Sequence, residues 1–121
     1  MDLQGELSGV ERVVREKTPS HVMPTIEASI HSVKESWLER GAIHPGEAIR
    51  DCELSNATGS TAKSLELRTR GPLLIVFYRG SWCPFCNLTL QAFQERYSEI
   101  ANRGVKVVAI FSQTPDVTLT I

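Results

Sequence analysis

The chain has no long hydrophobic run and no excess of charge of either sign. No apolar stretch approaches the roughly 20 residues that a membrane helix needs. Thirteen lysines and arginines are balanced by fourteen aspartates and glutamates. These absences predict no membrane partner and no nucleic-acid partner. The N-terminus is acidic and is not followed by the apolar stretch of a secretory signal, so we expect a cytoplasmic location.

Cysteine is also scarce. Three cysteines in 121 residues cannot build a disulfide framework. In a reducing compartment, a closely spaced pair is more often catalytic or metal-binding than structural. Cys83 and Cys86, which are separated only by a proline and a phenylalanine, are therefore the main candidates for chemistry. We interpret Cys52 as a small buried hydrophobe.

The remaining composition, 41% hydrophobic and 22% charged, is ordinary for a globular protein. The length predicts a single domain, residues 1–121, with a helical N-terminal segment at 1–41 and an α/β part at 42–121. Apolar residues at helical spacing predict helices over about Leu3–Lys17 and Pro24–Arg40.

The second of these helices has an apolar stripe, and Gly41 follows it as a helix-ending glycine. We expect the stripe to pack in the core; a dimer interface or a lid over the Cys83–Cys86 pair are the alternatives. Its members are Ile26, Ile30, Val33 and Trp37.

Residues 42–121 predict a mixed α/β arrangement. A short strand near Arg50–Leu54, a turn at Thr58-Gly59 and a helical turn at Lys63–Arg68 come first. The apolar run Leu73–Tyr78 follows, and its lack of alternation predicts a strand covered on both faces.

A helix and a second strand complete this part. The helix is predicted from Pro84 to Arg103, with Gly104 past its end. The strand Val105–Phe111 comes next. Strand, helix and strand in this order predict a parallel unit with a right-handed crossover.

The start of that helix is favourable for thiol chemistry. With Cys83 at the cap and Pro84 at the first helical position, unpaired N–H groups and the positive helix end stabilise a thiolate. Such sites lower a cysteine pKa from about 8.5 to about 3.5–7.5. We expect an exposed, attacking Cys83 and a sheltered, resolving Cys86, with Arg79 adding a cation and Trp82 shielding the sulfur.

Two other uses of the cysteine pair remain open. A structural zinc site usually needs four ligands, and the chain offers no second close pair of ligands to join this one. The pair can also be purely structural. We therefore expect no metal and no cofactor.

The block around the cysteines, with the Gly71-Pro72 and apolar strand before it, resembles a known family. It reads Phe77-Tyr78-Arg79-Gly80-Ser81-Trp82-Cys83-Pro84-Phe85-Cys86-Asn87-Leu88. It is similar to the peroxiredoxin-like branch of the alkyl hydroperoxide reductase/thiol-specific antioxidant family, whose order residues 45–115 follow.

The resemblance implies a thioredoxin fold and a role in redox homeostasis and antioxidant defence. Cys83 would attack and Cys86 would resolve, in a thiol–disulfide oxidoreductase or a thiol peroxidase. The partners would be a disulfide or hydroperoxide substrate and a cellular thiol reductant. Gly80 and Val76 occupy positions where the family places threonine and proline, which favours disulfide exchange over peroxide reduction.

Measured against that family, the chain is C-terminally truncated. We expect an incomplete thioredoxin-like α/β fold, in which a helical segment precedes a β-β/α-β-α-β half without the C-terminal antiparallel strands. The bare edge of the strand Leu73–Tyr78 predicts a homodimer through that edge or through swapped elements. The alternating residues Val117–Ile121 predict an edge strand, with a frayed terminus as the alternative. A non-enzymatic remnant that acts as an oligomeric or interaction module is the alternative function.

Overall fold

A computed structural model describes residues 1–112 of the chain. The predicted strand at 117–121 lies outside the described residues. The elements follow in this order: α1 (Leu3–Lys17), α2 (Met23–Glu35), a 3-10 turn (Leu38–Gly41), β1 (Glu53–Ser55), β2 (Thr61–Lys63), α3 (Ser64–Arg68), β3 (Leu73–Phe77), α4 (Pro84–Glu95), α5 (Tyr97–Asn102) and β4 (Lys106–Ile110).

The chain divides into two compact units. One comprises Ser8–Arg50, and the other comprises Met1–Leu7 together with the chain from Asp51 onwards. The predicted single domain, with its boundary near residue 41, stays a prediction. No helix within residues 1–112 has the length and the apolar character needed to cross a membrane.

In the unit Ser8–Arg50, α2 is shorter than predicted. It ends at Glu35 because Ser36 closes the last turn: its hydroxyl donates to the Val33 carbonyl oxygen at 2.7 Å. Trp37 then adopts a left-handed backbone conformation with φ 58°, which breaks the helix. The prediction that the helix continues to Arg40 and ends at Gly41 was therefore wrong.

The apolar stripe of α2 is exposed. Its exposed fractions run from 38% at Ile26 to 62% at Trp37, whose ring lies 3.6 Å from the Arg40 guanidinium. The prediction of core packing was wrong, because no element of this unit covers the stripe. The dimer-interface and lid interpretations stay predictions.

The second unit begins with a hairpin. β1 and β2 pair antiparallel, and the Asn56 side-chain oxygen accepts hydrogen bonds from the backbone of Thr58 and Ser60. Gly59 supplies the positive φ of 85° that the turn requires. The predicted turn is confirmed. Cys52, just before β1, is exposed, so its interpretation as a buried hydrophobe was wrong.

β3 and β4 pair in parallel, as predicted, with Leu73 opposite Lys106 and Phe77 opposite Ile110. The two strands start side by side where Gly71 approaches the Gly104 carbonyl oxygen. The side chains of β3 are only half-buried and Phe77 is 75% exposed, so the prediction of a strand covered on both faces was wrong.

The predicted single helix is two helices. α4 begins at Pro84 as expected, but it ends at Glu95, and α5 begins at Tyr97. Arg96 interrupts the helical backbone at φ −100°, ψ 6°. Gly104 follows α5 with φ 75° and lets the chain turn into β4, in agreement with its predicted role.

Candidate redox active site

Cys83 lies where the chain passes from the sheet into α4. The Tyr78 amide extends the β3–β4 ladder by donating to the Ile110 carbonyl oxygen at 3.0 Å. A turn follows, closed by the Cys83 amide, which donates to the Gly80 carbonyl oxygen at 3.2 Å. Cys83 is the cap of α4, and Pro84 takes the first helical position. Both placements agree with the prediction from the sequence.

Arg79 contacts both cysteines. Its Nη2 donates to the Cys83 Sγ at 3.1 Å, and its backbone amide donates to the Cys86 Sγ at 3.5 Å. The interaction with Cys83 raises the pKa of Arg79 further, so this side chain stays a cation. A hydrogen bond from a cation stabilises a thiolate more than a thiol. The guanidinium of Arg79, predicted as a nearby cation, therefore contacts the Cys83 sulfur.

The pKa of Cys83 is lowered by a balance of opposing effects. Burial is the largest single influence and raises the pKa, because it disfavours charge on the sulfur. The thiol and backbone amide of Cys86, and then Arg79, together outweigh that effect. Cys83 makes no capping hydrogen bond to the backbone of α4. The hydrogen bonds with Cys86 and Arg79 lower the pKa of Cys83 more than the charge of Arg79 does.

The exposure of the two sulfurs is the reverse of the prediction. Cys83 has 0% exposure and is the only fully buried hydrophobic side chain among residues 1–112, whereas Cys86 is partly exposed. The expectation of an exposed Cys83 and a sheltered Cys86 was wrong. The helical periodicity predicts Cys86 on the apolar face of the helix, but it carries no information on the burial of the cap residue Cys83.

Trp82 lies against Arg79. The guanidinium carbon is 4.9 Å from the centre of the indole ring, within the range of a cation–π interaction. The ring itself is 63% exposed. Trp82 therefore contacts Arg79, and direct shielding of the Cys83 sulfur by the indole stays a prediction.

Three residues of the site were not singled out from the sequence. The Asn87 side-chain amide donates to the Ser81 carbonyl oxygen at 2.8 Å, which ties the turn to α4. The Ser81 hydroxyl is buried. The pKa of Tyr78 is raised by burial and then by the nearby Cys86. Of these three residues, only Asn87 could have been singled out from the sequence. It lies four residues after Cys83, within the predicted helix, whereas asparagine favours helix caps and turns over helix interiors.

Two further features lie apart from the cysteines. A surface cavity of about 340 Å³ is lined by residues of the N-terminus, α4 and α5, among them Leu3, Phe93 and Ile100, and by neither Cys83 nor Cys86. Across residues 1–112 the structure brings together no group of three histidine, cysteine or acidic side chains able to hold a metal ion.

The site geometry agrees with a comparison of the sequence with known families. The sequence model of the AhpC/TSA family matches residues 45–120, more than half of the chain. The chain belongs to the AhpC/TSA family. No curated protein and no solved structure is significantly similar to it.

Membership in the AhpC/TSA family agrees with the fold. The two small sheets and the helices of residues 51–112 are a partial α/β thioredoxin-like fold, as predicted. The family is one of thiol-dependent redox proteins, and the match spans the strand, the turn and the helix that position Cys83 and Cys86.

Proposed function

We propose that the chain is a thiol-dependent oxidoreductase that cycles between a Cys83–Cys86 dithiol and a disulfide. Its substrates are hydroperoxides or disulfides, and a cellular thiol returns it to the reduced state. The observation that supports this most directly is the pair of contacts from Arg79, whose guanidinium and backbone amide each donate to one of the two sulfurs. This arrangement favours a thiolate on one sulfur and keeps the second beside it.

In the oxidative half of the cycle, the Cys83 thiolate attacks. With a hydroperoxide, the S–O bond forms as the O–O bond breaks, giving a sulfenic acid and an alkoxide that takes a proton from water. The Cys86 thiol then attacks the sulfenic sulfur, and water leaves. With a disulfide substrate, Cys83 forms a mixed disulfide, and Cys86 displaces the substrate thiol.

In the reductive half, the exposure of the sulfurs determines the route. An incoming thiolate reaches Cys86, the partly exposed sulfur, more easily than the buried Cys83. Attack at Cys86 forms a mixed disulfide with the incoming thiol and expels Cys83 as a thiolate. A leaving thiol with a lowered pKa departs faster, so the influence of Arg79 on Cys83 promotes this step as well. A second thiol then attacks the mixed disulfide and releases Cys86 as a thiol, which restores the dithiol.

The burial of Cys83 requires a side chain to move before a substrate reaches it. Arg79 is itself an exposed residue, and its contact with the indole of Trp82 involves another exposed ring. Exposed side chains change rotamer within nanoseconds, which is far faster than enzyme turnover. Because Arg79 is exposed and donates to the Cys83 sulfur, a rotamer change that moves its guanidinium off the sulfur is the motion that we propose for substrate entry.

The test is a count of free thiols before and after exposure to one equivalent of hydroperoxide or of a small disulfide. The chain has three cysteines. We expect the natural chain to lose the two thiols of the pair and to retain Cys52. Cys52→Ser, the matched control, should lose the same pair at the same rate. Equal rates of thiol loss in the natural chain and in Cys83→Ser would exclude the proposal.

One observation favours a second candidate function, a non-enzymatic interaction module. Cys83 has no exposed surface, as expected of a cysteine that only packs. The thiol count separates the two functions. A packing cysteine leaves the pair reduced under mild oxidation, whereas a redox pair loses both thiols together.

We also propose that two copies associate through the free edge of β3, and that the cycle runs in the reducing cytoplasm. Within residues 1–112, β3 pairs with β4 alone. The Pro72 carbonyl oxygen and the Tyr78 amide both bond toward β4. Since strand groups alternate in direction, the N–H and C=O groups of three residues face the other edge. They are Leu73, Ile75 and Phe77.

A further inference from the structure

The surface cavity of about 340 Å³ lies at the break between α4 and α5, and the cysteines do not line it. All of its lining residues belong to the unit that comprises Met1–Leu7 and the chain from Asp51 onwards. Its volume falls at the lower end of the range of small-molecule sites, about 300–1,000 Å³. The size therefore suits a small organic ligand, and the lining residues determine the chemical class.

The wall of the cavity is mainly apolar. Ala92 and Phe93 come from the last turn of α4, Ile100 comes from α5, and Leu3 comes from the start of α1. All four residues are half-buried, so each keeps surface that solvent reaches. A hydrocarbon chain or ring that covers this surface removes apolar area from water, which favours binding.

The charged residues at the cavity leave one positive charge without a partner. Glu99 accepts a hydrogen bond from the Arg96 guanidinium at 3.2 Å. Glu95 accepts one from the Gln91 side-chain amide at 3.4 Å and lies 3.7 Å from the N-terminal amino group. Arg103, at the end of α5, makes no side-chain hydrogen bond or ion pair within residues 1–112. The charge that remains for a ligand is therefore positive, which favours an anion.

We propose that this cavity binds a small organic carboxylate, with its apolar body against Phe93 and Ile100 and its carboxylate on Arg103. The planar guanidinium presents donors in a fork that matches the two oxygens of a carboxylate. An organic cation of the same shape finds no free acid here, because Glu95 and Glu99 are already paired. The binding needs no thiol, so this inference goes beyond the proposed function.

The test is an NMR titration of the full chain, isotopically labelled, with octanoate. We expect saturable shifts of the backbone amide signals that are centred on residues 92–103. Octylammonium, which has the same hydrocarbon chain and the opposite charge, is the matched ligand. It should leave these signals in place at the concentration that saturates the octanoate shifts.

Three variants test the charge. Arg103→Ala should weaken octanoate binding about three- to tenfold, because one charged hydrogen bond at a partly solvated site is lost. Arg103→Lys retains the charge without the fork and should recover part of the affinity. Arg70→Ala, the matched control, removes an exposed arginine that does not line the cavity and should leave the affinity unchanged.

A further variant tests the apolar wall. Ala92→Phe adds a ring at the cavity and leaves its charges as they are, so it should prevent octanoate binding. Unchanged affinity in Ala92→Phe, or shifts centred away from residues 92–103, would overturn the placement of the site.

The remaining outcomes are equally direct. Unchanged affinity in Arg103→Ala overturns the role of the guanidinium, and equal binding of octylammonium overturns the preference for an anion. A natural chain that shows no saturable shift with octanoate overturns the whole inference. The count of oxidisable thiols at Cys83 and Cys86 is a separate measurement, so this inference and the proposed function fail independently.

Discussion

At the scale of single residues, the account depends on how one arginine affects one sulfur. Burial alone would leave Cys83 as a neutral, unreactive thiol. Hydrogen bonds with Cys86, and then with Arg79, outweigh that effect and lower the pKa of Cys83 from its ordinary value. Since the thiolate is the nucleophile, the lower pKa shifts the onset of reactivity to lower pH.

Replacement of Arg79 should shift the onset of Cys83 reactivity to higher pH. In Arg79→Ala, we expect the pH at which Cys83 becomes half-reactive toward iodoacetamide to rise, and the rate at pH 7 to fall about three- to tenfold, because a partly solvated charged hydrogen bond is lost. Arg79→Lys retains the charge and should recover part of the shift. The labelled peptide is identified by mass spectrometry in a Cys52→Ser background.

The charge-matched control is Arg70→Ala, an exposed arginine before the turn at Gly71. It should leave the pH profile of Cys83 in place. The profile is a better readout than the absolute rate, because removal of Arg79 also uncovers the sulfur. A profile that does not move in Arg79→Ala would contradict the assigned role of the guanidinium.

At the scale of elements, the junction of β3 with β4 is the most constrained part of the fold. Gly71 has φ +134°, and a Cβ atom at this position would clash with the backbone carbonyl oxygen of Gly104. Both the backbone conformation and the close approach therefore require glycine. Gly104 has φ +75° but open space around it, so only the conformation requires glycine there.

This difference gives a paired prediction for stability. Gly104→Ala should lower the free energy of unfolding by about 1–2 kcal/mol, the cost of a left-handed alanine. Gly71→Ala should lower it by clearly more, since the strands must separate to admit the methyl group. Urea denaturation of both variants measures the difference. Equal losses would show that the approach of Gly71 to the Gly104 carbonyl does not constrain the junction.

Elements were predictable from the sequence where local rules determine them. The β1–β2 turn, the parallel pairing of β3 with β4 and the start of α4 at Pro84 each follow from glycine, proline or an apolar run. The break at Arg96 and the left-handed Trp37 were not predictable, because neither residue type disfavours a helix strongly.

The site was only partly predictable from the sequence, because some of its features depend on tertiary packing. Spacing identified Cys83 and Cys86 and placed Arg79 near them. The burial of Cys83 and its hydrogen bond from Arg79 are tertiary features that no sequence period encodes. The burial of the Ser81 hydroxyl depends on a turn that places a polar side chain out of water. Such features arise from tertiary packing and are visible only in the structure.

At the scale of the whole molecule, the edge of β3 that no strand within residues 1–112 covers predicts association. The native mass should be twice the 13.4 kDa of one chain. Phe77→Lys should shift it toward a single chain, because a charged residue on an exposed edge opposes strand pairing. Leu65→Lys, which changes an exposed leucine of α3, is the matched control and should leave the mass unchanged. A natural chain with the mass of one copy would contradict this proposal.

The bond between Cys83 and Cys86 is the central claim, and peptide mapping tests it most directly. The chain is treated with one equivalent of hydrogen peroxide, its remaining thiols are blocked, and its peptides are analysed without reduction. We predict an intramolecular Cys83–Cys86 disulfide with Cys52 recovered as a blocked thiol. Recovery of Cys83 as a blocked thiol, or a disulfide that links Cys52 instead, would contradict the account.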